Sequence, residues 1–146
     1  MKMKKIYINL IAALTFVMFA VQLNAQCTFT TSFGGGTVSS TVPGSSVTLS
    51  TCNYGGEYAP ATFNVTGPFI FTSNVPSDYI TITDNSYNVL AFGSTPLSAN
   101  IPTLGVYFVH IAASGPTTCS VQNTCRITNV IVPLLPCSGA PSSGTV

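Results

Sequence analysis

The chain has 146 residues, of which only 5% are charged: four basic and three acidic, beside one histidine and no tryptophan. Lys2, Lys4 and Lys5 lie in an N-terminal stretch that reads as a leader, so the chain without it keeps Arg126 against Glu57, Asp78 and Asp84, a net charge of −2 with His110 neutral. One arginine offers no cationic footprint for phosphates, which excludes nucleic acid as a partner and disfavours anionic lipid surfaces.

Residues 1–25 carry the marks of a cleaved signal peptide. Lysines come first, then an apolar run over 6–21, then Leu23-Asn24-Ala25 with a small residue at its last position. The apolar run is short for a membrane span, so no membrane insertion is expected once the leader is removed. The remaining length suits one domain with a single core. Its richness in Thr, Ser, Val and Tyr opposes helix and favours strand.

The strand signals succeed one another closely. Residues 28–30 make a short candidate, broken by Gly34-Gly35-Gly36, and 38–42 alternate weakly before the Pro43-Gly44 turn. Residues 46–50 alternate apolar and polar, as a half-buried strand does. The stretch Cys52-Asn53-Tyr54-Gly55-Gly56-Glu57-Tyr58 gathers a cysteine, two tyrosines and the only glutamate, and looks like the entry to the core. Strands are then expected over 61–65, 69–72, 79–83 and 88–92, the last two as a hairpin with Ile80 and Ile82 inward and Thr81 and Thr83 outward. Residues 105–112 form the most apolar strand, and 126–132 close the module. No helical period appears after the leader. The reading is an all-β protein: an antiparallel β-sandwich, jelly-roll-like or Ig-like, of about eight strands over 26–132. Residues 133–146 read as a linker or the start of a further module, and the chain as part of a longer one.

All five cysteines lie beyond the leader, and export makes disulfides the default. Cys119 and Cys125 flank a short polar loop and make the first candidate pair; Cys27 and Cys52 make the second; Cys137 is left over. Sequence alone leaves this connectivity open.

The succession of 52–58, Tyr79-Ile80-Thr81-Ile82-Thr83-Asp84, Val89-Leu90-Ala91, Gly105-Val106-Tyr107-Phe108-Val109-His110, Cys119 and Cys125-Arg126 resembles a β-sandwich module of secreted multidomain surface proteins of Bacteroidota, commonly type IX secretion cargo. The hairpin over 69–92 and the strand from Gly105 are also similar to bacterial pre-peptidase C-terminal domains. In such modules glycine often stands where this chain has Tyr87. The resemblance implies a secreted or cell-surface module with an adhesive, carbohydrate-binding or spacer role.

Chemistry is sparsely supplied. A glycosidase needs two facing carboxylates, but Asp78 and Asp84 bracket one strand and sit at its opposite ends. His110 lies in an apolar strand with no Gly-x-Ser-x-Gly elbow, and reads as a core histidine hydrogen-bonded to backbone or to Glu57. No catalytic residue and no cofactor is expected. Asp84, with Asn85 and Asp78, is a weak Ca²⁺ candidate; an Asx turn is the favoured reading of the same residues. Glu57 and Arg126 are expected to form a structural ion pair between the entry segment and the last strand. Tyr54, Tyr58 and Tyr87 are the loop-borne rings that could stack on sugars. The sequence therefore favours a non-catalytic extracellular module for adhesion or spacing. A carbohydrate-binding or enzyme-accessory module and a fibre subunit that self-associates through strand edges or Cys137 are the alternatives.

Overall fold

Short β-branched and aromatic runs can hide their alternate side chains only by pairing into sheets that face each other. The computed structural model of the chain describes residues 26–116 and 118–134, and among them there are nine strands and no helix. The leader, Cys137 and the tail from 135 onward lie outside the described residues. The strands are β1 (Gly36–Val38), β2 (Ser46–Gly55), β3 (Glu57–Phe63), β4 (Gly67–Ser73), β5 (Tyr79–Asp84), β6 (Val89–Ser94), β7 (Leu97–Ile101), β8 (Gly105–Ala112) and β9 (Gln122–Ile131).

Pairing is nested. β5 pairs with β6, β4 with β7, β3 with β8 and β2 with β9, all antiparallel, so eight strands form one long ribbon closed at the β5–β6 turn. In both β3–β8 and β4–β7 the partner numbers add to the same constant, so the ribbon keeps its register as it bends between sheets. Rolling the ribbon yields two sheets, in the orders β1-β3-β8-β5-β6 and β2-β9-β4-β7. This is the two-sheet jelly roll, not the Ig-like arrangement, with β1 added in parallel at the free edge of β3.

The core lies between the sheets. Phe63, Phe69, Phe71, Ile80, Ile82, Ile101, Val109 and Ile111 are almost wholly buried. Phe63 meets Phe69 edge-on at 5.0 Å and Tyr107 at 5.7 Å. Each such side chain contributes roughly 1.5–3 kcal/mol by burial. Tyr107 also fixes the crossing into β8: its hydroxyl donates to the Thr103 carbonyl at 2.9 Å, the geometry of a tyrosine corner.

Several elements differ from the sequence reading: residues 28–30 form no strand, Gly36 starts β1 instead of breaking one, and β9 starts at Gln122, inside the expected loop. β7 fills a stretch with no assigned strand; Leu97, Ala99 and Ile101 do alternate with Ser98 and Asn100, but Ala and Asn are weak strand formers. The segment from Cys52 to Tyr58 is the sharp corner at which the chain passes from one sheet to the other, β2 ending and β3 beginning around Gly56. Gly56 has φ +112°, a conformation that side chains rarely adopt.

Both disulfides differ in connectivity from the expected pairs. Cys27 bonds Cys119 and Cys52 bonds Cys125. The physical reason is that Cys125 is not the far rim of a loop. It lies inside β9, which starts at Gln122, and there faces β2, the strand that carries Cys52. Cys119 is thereby freed for Cys27, which arrives on the N-terminal arm.

Candidate functional site

The five-stranded sheet has a second face, turned away from the core. Side chains alternate along a strand, so Tyr107, Val109 and Ile111 enter the core while Val106, Phe108 and His110 point outward. β3 sets Tyr58 opposite His110, and β5 sets Thr81 and Thr83 opposite His110 and Phe108. Thr81 and Thr83 are buried all the same, because this face is partly covered.

The cover is the arm from Gln26 to Gly35. The Cys27 amide donates to Thr81 Oγ1 at 3.2 Å, and the Phe29 amide donates to His110 Nδ1 at 3.0 Å. The amides of Phe33 and Tyr58 donate to the carbonyls of Tyr58 and Thr31, both at 2.9 Å. The arm is then locked by Cys27–Cys119. His110 is fully buried; with Nδ1 accepting, it is the neutral tautomer and its Nε2–H donates to Thr83 Oγ1 at 3.2 Å. Burial pushes its pKa down to about 4. The expected hydrogen bond to backbone is therefore present, and Glu57 takes no part in it.

Past the arm the face is aromatic and open. Tyr58 packs on Phe108 at 4.6 Å, Tyr87 packs on Phe108 at 5.2 Å, and the two tyrosines meet edge-on at 6.3 Å. His110 lies 5.2 Å from the Tyr58 ring and 5.8 Å from that of Tyr87. Tyr87 is 40% exposed and sits at φ 63°, in the left-handed region. Its hydroxyl pKa is raised, first by hydrogen bonding with Tyr58. The structure thus brings together Tyr58 and Tyr87. Tyr54 stays apart: it lies on β2, in the other sheet, with no ring contact to this cluster among the described residues. Phe108 was not singled out by sequence, although outward alternation from His110 would have placed it on this face.

The acids are all occupied by the fold. Asp84 accepts from the Ser86 and Asn88 amides at 2.8 and 2.9 Å and from Asn88 Nδ2 at 2.8 Å, which is the Asx turn, and these bonds, led by that from the Asn88 side chain, hold its pKa down. Among the described residues no cluster of His, Cys, Asp or Glu could hold a metal. Glu57 does not pair with Arg126. Its carboxylate turns back onto the corner and accepts from the Tyr54 amide at 2.7 Å. Arg126 instead points into the sandwich, fully buried, and its Nε donates to both oxygens of Asp78 at 3.0 and 2.8 Å. Ser73 also donates to Asp78, at 2.5 Å. The remaining guanidinium donors go to the Thr124 carbonyl and the Gln122 side chain, at 2.6 and 2.8 Å. Asp78 enters β5 while Arg126 and Ser73 belong to the other sheet, so the ion pair ties the two sheets together. Gly55 leaves room for it; a Cβ there would stand 3.2 Å from the guanidinium carbon.

Two depressions among the described residues are of note. One, of about 260 Å³, is an apolar cleft at the end of the sandwich, lined by Pro43, Pro68, Phe69 and Pro133 among others. The other, of about 210 Å³, lies between the β5–β6 turn and the β7–β8 loop. No helix among the described residues is long and apolar enough to cross a membrane, and the two disulfides are compatible with an extracellular protein. No protein-family model matches the chain, and no curated protein matches it either.

Proposed function

We propose that this chain is a non-catalytic, exported binding module that holds carbohydrate against the outer face of its five-stranded sheet. The adhesive role expected of such a module would come from that contact. The observation that carries the reading is Tyr87. A tyrosine at φ 63° costs about 1 kcal/mol or more where glycine would be unstrained. Here the strained backbone sets a half-exposed ring beside Tyr58 and Phe108. Polarised C–H groups on one side of a pyranose ring suit the negative faces of such rings. The acids add weight against hydrolysis as the role, since each carboxylate is already engaged in the fold.

A glycan array probed with the purified protein tests this. Retention of at least one glycan is expected, reduced at least about tenfold in Tyr58→Ala and Tyr87→Ala, with the melting temperature of each variant showing that it is folded. Binding that survives both substitutions, or no glycan retained by the parent protein, would remove the platform and return the module to a spacer.

A further inference from the structure

The smaller depression lies at the rim of the five-stranded sheet, beside the turn that carries Tyr87. It is lined by Asp84, Asn85, Thr103, Leu104, Gly105 and Val106 among others. Asp84 and Asn85 open the turn that carries Tyr87, whose amide donates to the Asp84 carbonyl at 3.1 Å. Val106 lies two residues before Phe108 on the same strand face, and is itself exposed. One turn and one strand thus form the wall shared by the platform and the pocket.

The pocket has room and unspent polar groups. Gly105 stands at φ +144°, a conformation that favours glycine, and the space where a Cβ would stand is open. The exposed Asn85 amide engages no protein group among the described residues, which leaves donors and an acceptor for a hydroxyl-rich ligand. Charge sets a further limit. Asp84 lines the pocket, with its carboxylate already engaged by turn donors. The single cationic side chain among the described residues, Arg126, is fully buried and paired with Asp78. No cationic side chain among the described residues is free to neutralise a uronate or a sulfate, and the negative charge of Asp84 would disfavour either.

Resting on the carbohydrate reading of the platform, we propose that the pocket is a second subsite of the same site, and that the pair takes a neutral oligosaccharide of two or more residues while rejecting acidic glycans. One sugar ring lies on Tyr87 and Phe108, and its neighbour places hydroxyls against Asn85 and the backbone at Gly105.

NMR titration of the purified protein with cellotetraose, mannotetraose and a galacturonan tetrasaccharide tests both parts. A neutral tetrasaccharide should shift the amides of Asn85, Thr103 and Gly105 together with those of Tyr87 and Phe108. Asn85→Ala, at an exposed turn position, should weaken binding at least about tenfold, with an unchanged melting temperature. The galacturonan should bind at least about tenfold more weakly than the better neutral ligand. If Asn85→Ala binds as the parent does while Tyr87→Ala does not, the second subsite is overturned and the platform stands. Equal affinity for the galacturonan would overturn the selectivity for neutral sugar. Absence of shifts at Tyr87 and Phe108 with every probe would overturn the platform and the pocket together.

Discussion

His110 shows how one buried residue, hydrogen-bonded within the fold, leaves a measurable trace. Its Nδ1 accepts the Phe29 amide only while unprotonated, and burial holds its pKa at about 4, against about 6.5 in an unfolded chain. The unfolded chain therefore binds a proton that the folded one refuses. Stability attributable to His110 is complete above about pH 6.5, falls as the pH drops, and is spent below about pH 4, a loss on the order of 3 kcal/mol. Asp84, whose pKa is also lowered, acts in the same direction but only below its ordinary carboxylate range. Urea unfolding monitored from pH 7.5 to 4.5 should show the decline, and His110→Gln, which keeps an acceptor without titrating, should flatten it. An equal slope in that variant would mean that other groups carry the effect. The same residue marks a limit of reading from sequence. That His110 is a core histidine hydrogen-bonded within the fold is legible from its apolar strand, but its partner could not be foreseen, because Phe29 lies 81 residues away on an arm whose expected strand over 28–30 does not form.

At the scale of elements, the arm and the corner were the least legible parts, and for related reasons. Alternation gave the strands over 46–50 and 79–83, and apolar runs those over 69–72 and 105–112, since both patterns are local properties. Cysteine partners, the mate of the lone arginine and the cover of an outer face are set by topology, which local pattern does not encode. Nearness in sequence favoured Cys119 with Cys125, and rarity favoured Glu57 with Arg126. The β2–β9 ladder decided both otherwise, by carrying Cys125 to Cys52 and turning Arg126 inward. In the folded strand Arg126, Thr128 and Val130 alternate with more exposed residues, Ile127 among them, so residue type alone did not show that the arginine turns into the sandwich. The arm's lock, Cys27–Cys119, closes 92 residues of sequence separation, and removing it by Cys27→Ser with Cys119→Ser should cost about 2–4 kcal/mol. Hydrogen exchange at the Phe29, Phe33 and Tyr58 amides should quicken, while the β3–β8 ladder from Ala59 onward stays protected. Unchanged exchange at those amides would show that hydrogen bonds alone hold the arm.

Taken whole, the molecule divides its labour between two faces of one sheet. The inner face closes a jelly-roll core with the other sheet and an ion pair across the gap. The outer face is half covered by the arm and half given to Tyr58, Tyr87 and Phe108. Tyr58 and Tyr87 were visible in the sequence as ring-bearing turn residues; that they converge on Phe108 was not, because the ribbon must roll before β3, β8 and the β5–β6 turn become neighbours. The proposed carbohydrate-binding role rests on that convergence. The most direct measurement is a crystal structure of the protein soaked with a neutral tetrasaccharide. The account predicts ordered sugar with one ring stacked on Tyr87 and Phe108. Sugar ordered only elsewhere, such as in the apolar cleft at Pro43, Phe69 and Pro133, would contradict it.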